Sequence, residues 1–306
     1  MAQPPAPSPN AAASQPSGLP FALGAYLIWG FLPLYLKLVE SVPPFEFVGW
    51  RIIWTLPLCL LIVAMRGQFA ELRAAVADRR AMLALAASAA LIGFNWFVYV
   101  WAIMAGEVYA ASIGYYLNPL LNVLLGTAFL GERLSRWQWV AVGIAALAVA
   151  LLAAGELTTL WISLSLALSF ALYGLVRKQV AVGSLPGLTI ESGLLMVPSL
   201  AIAAWYAASP QGSAFGQDAV MSGLIVFSGV VTAVPLLLFA IAARRMEYST
   251  LGFIQYLAPT IVFFLGLFVF KQELRSAQLG SFVLIWAAVA IFVGDLWARR
   301  RAALLA

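Results

Sequence analysis

The feature of this sequence that most limits its fold is a series of ten apolar runs, each close to the length of a helix that crosses a membrane. Crossing about 30 Å of hydrocarbon takes roughly 20 apolar residues in a helix. The runs therefore predict an all-α, polytopic membrane protein with ten transmembrane helices. The predicted spans are 20–37, 45–65, 82–105, 107–130, 137–153, 157–176, 186–206, 219–243, 247–270 and 277–297.

The composition supports this class and excludes others. Of the 306 residues, 64% are hydrophobic and 9% are charged, whereas a soluble domain carries about 25% charged residues. There is no histidine, and Cys59 is the single cysteine. Disulfides within the chain and enzymes built on His-ligated metal, haem or a His base are therefore excluded. We expect no metal, no cofactor and no enzymatic activity.

Two stretches of the chain repeat each other at a nearly constant spacing. Four pairs keep this spacing: Glu107 and Glu247, Pro119 and Pro259, Gly126 and Gly266, and Glu132 and Glu273. The first three pairs are 140 residues apart and the last is 141 apart, which indicates a duplicated unit. We assign residues 19–153 and 157–297 to two repeats of five helices. Because five is odd, the second repeat enters the membrane inverted, as in secondary transporters that bind their solute between the repeats.

The distribution of Lys and Arg predicts the orientation. With the N-terminus in the cytoplasm, 13 of the 17 basic residues lie on the cytoplasmic side, three lie outside, and Arg51 lies within a span. This bias places both termini in the cytoplasm. Residues 1–18 form a predicted disordered tail, 298–306 a basic cytoplasmic tail, and 66–81 a segment on the inner leaflet. Orientation explains the basic charge, so we expect the lipid bilayer and no nucleic acid as a partner.

Two charged residues lie deep inside predicted spans, at least five residues from either end. Arg51 lies six residues into the second span and Glu191 about five residues into the seventh, from opposite faces. A charge at mid-bilayer is unfavourable by about 2.5–3.5 kcal/mol. We therefore expect each of these side chains to reach water. They either snorkel to the nearest interface or face a water-filled cavity. Their depths differ by roughly 10 Å at 1.5 Å per residue, so a direct salt bridge is not expected.

Further candidates for a solute pathway are polar and aromatic. Tyr115, Asn118 and Asn122 share one face of the fourth span, and Gln255 and Tyr256 occupy a comparable face of the ninth. These amides either line the cavity or join helices by hydrogen bonds. Aromatic walls would suit a flat, moderately apolar solute, although such rings are also common at membrane interfaces. The remaining candidates are Tyr26, Trp29, Asn95, Tyr99 and Tyr173.

Matching prolines in the two repeats are candidate hinges. Pro119 and Pro259 lie within the fourth and ninth spans. A proline removes an intrahelical hydrogen bond and can kink the helix. The kinks could serve alternating access or only shape a cavity.

Several stretches resemble a known family in order along residues 20–297. They are Gly24–Lys37 (GAYLIWGFLPLYLK), Arg51–Pro57 (RIIWTLP), Asn95–Ala102 (NWFVYVWA), Gly114–Pro119 (GYYLNP), Gly131–Leu134 (GERL), Tyr173–Lys178 (YGLVRK), Thr250–Pro259 (TLGFIQYLAP) and Ala288–Asp295 (AVAIFVGD). With its two units of five helices, the chain resembles the EamA-type drug/metabolite transporter superfamily, and within it the RarD branch. This resemblance implies a ten-helix permease of the bacterial inner membrane that moves small metabolites or drugs.

The leading hypothesis is a secondary transporter with alternating access, whose solutes include amphenicol-like compounds. The chain has no nucleotide-binding loop, and Glu191 is the candidate for a proton-carrying carboxylate. A facilitator or exchanger remains open. A channel-like pore is an alternative, and a membrane-embedded lipid enzyme is a weaker one. Runs of small residues at 143–148 and 280–290 suit close helix packing, within the monomer or in a homodimer.

Overall fold

The computed structural model describes residues 17–154, 157–271 and 276–305, and all regular secondary structure in these ranges is helical. The α-helices are α1 (Leu19–Leu38), α2 (Pro44–Met65), α3 (Phe69–Ala77), α4 (Arg79–Met104), α5 (Val108–Phe129), α6 (Arg136–Ala153), α7 (Leu160–Gln179), α8 (Ser184–Ala207), α9 (Ala219–Arg245), α10 (Tyr248–Gln255), α11 (Leu257–Phe268) and α12 (Ser276–Leu305). The all-α fold class is confirmed. The predicted tail, apart from residues 17 and 18, and Glu273 lie outside the described residues.

Nine helices of the described ranges are long and apolar enough to cross a membrane, with α10 and α11 counted as one. The predicted span 107–130 corresponds to α5, which has 22 residues but is not among the nine. The protein is therefore polytopic. The count of ten spans and the inverted layout stay predictions.

Two helices differ from the simple pattern of spans. The basic segment between the second and third spans contains the short helix α3. The ninth span is divided at Tyr256 into α10 and α11. Pro259 explains this division, because its ring displaces the carbonyl four residues earlier, that of Gln255, and provides no N–H to bond it.

The ends of several helices follow from local capping. Asp78 accepts hydrogen bonds from the first-turn N–H groups of α4, and Asp218 does the same for α9. Ser135 and Gln138 form a capping box that starts α6. Lys178 donates to the carbonyls of Ala243 and Met246 at 2.9 and 2.6 Å. These contacts satisfy backbone groups that a helix end leaves without partners.

The two predicted repeats interlock rather than lie side by side. The most extensive helix pairs join the first repeat to the second: α6 with α12, α2 with α8 and α9, α5 with α7 and α10, α4 with α7, and α1 with α9 and α11. Small residues permit these approaches. A side chain at Gly229 of α9 would meet the Trp54 backbone of α2 at 2.5 Å. The core of the protein is therefore built between the repeats.

Glu132 links the repeats at the start of α10. Its carboxylate accepts hydrogen bonds from the backbone N–H of Tyr248, from the N–H of Ser249 at 2.8 Å and from the Ser249 hydroxyl at 2.7 Å. A carboxylate at a helix N-terminus also interacts favourably with the helix dipole. A residue that follows the fourth span thus positions the helix that opens the ninth.

Replacing Glu132 by Ala removes these three acceptors from α10. We expect the free energy of unfolding, measured by SDS titration in mixed micelles, to fall by about 2–3 kcal/mol. The control is Glu40→Ala, because the Glu40 side chain is 62% exposed and pairs only with Lys37. An equal effect of the two changes would contradict the role of Glu132.

Candidate functional site

A small enclosed cavity lies where α2, α4, α7, α8 and α9 meet. The volume that is open to the centre of a water molecule is about 10 Å³, which is room for about one water. Its lining combines an apolar wall with a few polar groups, as in binding sites for small solutes. The lining residues are Ile52, Thr55, Ile92, Trp96, Tyr173, Leu188, Glu191, Ser192, Leu195 and Leu236.

Glu191 provides the negative charge of the cavity. Ser88 of α4 donates a hydrogen bond to its Oε1 at 2.5 Å, and Nε of Arg177 lies 3.6 Å from the same oxygen. Its Oε2 is buried and has no hydrogen-bond partner among the described residues. One carboxylate oxygen is thus held between α4 and α7, and the other can accept a proton or a ligand group.

Arg177 is completely buried in the last turn of α7. Its Nη2 donates to the carbonyl of Ser184 at 2.9 Å, and the absence of a side chain at Gly187 makes room for the guanidinium. The sequence interpretation counted Arg177 among the thirteen basic residues of cytoplasmic loops; its placement in a loop was wrong, because it lies buried within α7. Tyr173 was already a pathway candidate, and Arg177 follows it by four residues, which places both on one helical face.

Arg51 of α2 lies beside the cavity on the other side from Arg177. Its guanidinium carbon is 4.6 Å from the ring centre of Trp96, and its Nε donates to the Thr232 hydroxyl of α9 at 3.0 Å. Tyr99 and Tyr115 lie within electrostatic range of this guanidinium, and their rings pack edge to face at 6.0 Å. The predicted candidates Arg51, Tyr99 and Tyr115 therefore form one polar group next to Trp96.

The amide candidates join helices instead of lining this cavity. Asn95 of α4 donates to the Leu166 carbonyl and the Ser169 hydroxyl of α7 at 2.8 and 3.0 Å. Asn122 of α5 donates to Oε1 of Gln255 in α10 at 3.1 Å. The buried Oδ1 of Asn118 has no hydrogen-bond partner in the part of the chain that the structure describes. Asn95, Asn122 and Gln255 therefore connect the repeats by interhelical hydrogen bonds.

The aromatic candidates of the first and sixth spans form one cluster behind the cavity. Trp29 packs edge to face on Phe170 at 5.8 Å, and Tyr26 packs on Phe239 at 6.5 Å. Tyr173 stacks on Phe239 at 6.1 Å and also lines the cavity. Tyr173 therefore belongs to both the cluster and the cavity lining, whereas Tyr26 and Trp29 belong only to the cluster.

The last candidates lie near the α5–α10 contact. The hydroxyl of Tyr256 donates to the Tyr116 carbonyl at 3.3 Å. Pro119 lies inside the continuous helix α5, while Pro259 follows the break between α10 and α11. The two candidate hinges thus have different local geometry, and only the second coincides with a divided helix.

Below Arg177 lies a wider basic cleft. It is formed where α2 and α9 end and α8 begins, and its volume by the same measure is about 460 Å³. Leu185 of the cleft and Leu188 of the cavity are one turn apart on α8, and Leu237 and Leu236 are neighbours on α9. The Arg177–Glu191 pair therefore separates the cleft from the cavity. The cleft is lined by Arg66, Gln68, Gly183, Ser184, Leu185, Leu237, Ile241, Arg244 and Arg245.

At the opposite end, the loop between α8 and α9 covers the bundle. Oε1 of Glu46 accepts hydrogen bonds from the Ser213 hydroxyl, from the Ala214 N–H at 2.8 Å and from Trp50 Nε1 at 3.1 Å. The ring of Phe215 packs on Trp50 with centres 4.4 Å apart. Sequence reasoning missed Glu46, although an acidic residue in an apolar first turn was a visible signal.

Comparison with known proteins gives consistent results. The profile of the EamA-like transporter family matches residues 16–154. An uncharacterized transporter of Pseudomonas aeruginosa is 42% identical over 92% of this chain and 94% of its own length. Protein RarD of Escherichia coli is 40% identical over 93% of this chain and 96% of its own length. Chloramphenicol-sensitive protein RarD of Pseudomonas aeruginosa is 29% identical over 89% and 92%.

A solved crystal structure shares the fold. It superposes with a TM-score of 0.71 at 20% sequence identity and covers 92% of this chain and 98% of the other.

Replacing Arg177 by Gln leaves Glu191 buried without its cation. We expect the free energy of unfolding, from SDS titration in mixed micelles, to fall by about 3–5 kcal/mol, and Glu191→Gln in the same chain to restore part of it. The control is Arg299→Gln, because Arg299 is 55% exposed and lies 4.0 Å from Asp295; such pairs contribute less than about 1 kcal/mol. A loss no larger than the control's would contradict the role of the buried pair.

Proposed function

The chain belongs to the EamA-like transporter family, in the branch that includes proteins named RarD, and from this we propose that it carries small solutes across the bacterial inner membrane by alternating access. It is a polytopic membrane protein of the drug/metabolite transporter type. We further propose that both termini face the cytoplasm and that the two repeats are inverted.

The observation that carries this proposal is the position of the cavity. Its walls come from α2 and α4 of the first predicted repeat and from α7, α8 and α9 of the second. A solute site between two repeats is the arrangement of secondary transporters. Repeats that move against each other would therefore change the walls of this cavity directly.

The cavity is closed in this conformation, because it has room for about one water. A metabolite or drug enters only when one end of the bundle opens. The basic end is closed by Arg177 and Glu191, and the opposite end by Phe215 and Glu46. Alternating access is the opening of these two closures in turn.

The solute class follows from the lining and from the relatives. Trp96 and Tyr173 provide aromatic surface, while Thr55, Glu191 and Ser192 provide few polar groups. Such a lining suits a flat, moderately apolar molecule. One relative carries the name chloramphenicol-sensitive protein RarD, and we propose that small metabolites or drugs, amphenicol-like compounds among them, are the solutes.

Glu191 is the group through which a proton can drive the cycle. Protonation of its carboxylate removes the charge that holds Arg177, so proton binding and opening of the basic end become linked. Glu191 is the one carboxylate among the residues described as lining the cavity.

Counterflow in proteoliposomes tests the transport cycle. Purified protein is first screened by thermal shift against metabolites and amphenicols, since a ligand that binds the folded state raises the melting temperature. We expect a compound that raises it to accumulate as radiolabel in vesicles preloaded with the same unlabelled compound. Flux that is not stimulated by the preload would indicate a channel-like pore and contradict a carrier.

Glu191→Gln tests the proton-carrying role. The variant keeps the size of the side chain but cannot release a proton between pH 5 and 8. We expect uptake of the compound found above to lose its dependence on external pH, whereas Glu40→Gln, on an exposed side chain, leaves it intact. A Glu191→Gln profile that follows the wild type would reject this role.

A further inference from the structure

The guanidinium of Arg51 has donors that no protein group uses. Its Nε is bonded to Thr232, but no hydrogen bond to Nη1 or Nη2 occurs within residues 17–154, 157–271 and 276–305. The group is held in place by the Trp96 ring at 4.6 Å and by this single bond. Two parallel donors on a fixed, planar fork match the two oxygens of a carboxylate.

The charge of Arg51 is also uncompensated. No carboxylate among the described residues lies within 4.0 Å of it, in contrast to Arg177, which pairs with Glu191. Arg51 is seven residues from the start of α2, or roughly 10 Å along the helix at 1.5 Å per residue. An unpaired cation at that depth in a membrane is unfavourable unless a water-filled site or a ligand compensates it.

Arg51 lies directly beside the cavity and contacts residues that line it. The guanidinium of Arg51 lies over the ring of Trp96, and Trp96 lines the cavity. Ile52, the next residue of α2, lines it as well. Thr55, also in the lining, donates to the Arg51 carbonyl at 2.7 Å. A solute that fills the opened cavity therefore meets the Trp96 ring and, next to it, the guanidinium of Arg51.

The approach from the basic cleft has the same sign of charge. Arg66, Arg244 and Arg245 line it. The carboxylate of Glu71 contacts two residues of the cleft, because it accepts hydrogen bonds from the Gly183 N–H at 3.1 Å and from Gln68 at 3.0 Å. A cleft lined by one sign of charge raises the local concentration of oppositely charged solutes.

We propose that the solutes of this protein include organic anions whose carboxylate is bound by Arg51. This inference rests on the proposed transport function and specifies the solute class for the same cavity. One fork with two free donors fits a monoanionic carboxylate, whereas a phosphate dianion would require further cationic groups close to Arg51. The apolar and aromatic lining holds the rest of the molecule, and the three arginines of the cleft attract it to the basic end.

Matched pairs of probes test the proposal on the wild-type protein. Purified protein in lipid nanodiscs is titrated with benzoate, phenylacetate and phenyl phosphate, and with the neutral benzamide and phenylacetamide, at constant ionic strength. We expect the carboxylates to raise the melting temperature and to bind about tenfold to a hundredfold more tightly than their amides. Equal binding of the amides, tighter binding of phenyl phosphate, or no shift with either carboxylate would overturn it.

Variants locate the anion. Arg51→Gln is expected to lose the preference for carboxylate over amide, and Arg51→Lys to recover part of it. The matched control is Arg301→Gln, because Arg301 also lies over a tryptophan, Trp297, at 3.7 Å, but on the exposed end of α12. A preference that survives in Arg51→Gln would place the anion elsewhere and overturn the proposal.

The two proposals fail in different ways. Counterflow of a neutral solute, without binding of carboxylates, would leave the transport function standing and reject the anion site. Carboxylate binding that depends on Arg51, without counterflow of any bound compound, would support the anion site and reject transport.

Discussion

The buried pair of Arg177 and Glu191 is the interaction on which the rest of the site depends. Both side chains are withdrawn from solvent, so neither can lose its partner without a large penalty. The pair joins α7 to α8, and Ser88 adds α4. Three helices that bound the cavity are thereby held together at one end.

The other features of the site lie on either side of this pair, between one end of the helix bundle and the other. A basic cleft lies below it, and above it the cavity leads to Arg51 and the aromatic loop that Glu46 holds. Charge along this axis is mainly positive, with Glu191 as the exception inside the cavity. In the proposed transport cycle, the same carboxylate closes the path and binds the proton.

Much of the fold could be predicted, because the hydrocarbon thickness dictates the length of apolar helices. Each predicted span contains a helix in the described residues. Arg177 was misplaced because sequence position alone cannot show that α8 returns with Gly187 against the guanidinium. Likewise, the polarity of Asn95 and Asn122 predicted that both amides face protein and not lipid. Whether they face a cavity or a neighbouring helix depends on the rotation of each helix about its axis, which the sequence does not specify. Pro119 and Pro259 show that equivalent prolines can leave one helix whole and divide another.

The interlocking of the two repeats has a consequence for biogenesis. The main partners of α1, α2, α4, α5 and α6 all come from the later part of the chain. During synthesis, the early helices enter the bilayer before their final neighbours are made. Polar side chains such as Arg51 and Asn95 then lack their hydrogen-bond partners on α9 and α7. If the repeats are inverted copies, as we propose, an ancestor with a single repeat would have formed this core by pairing two antiparallel copies.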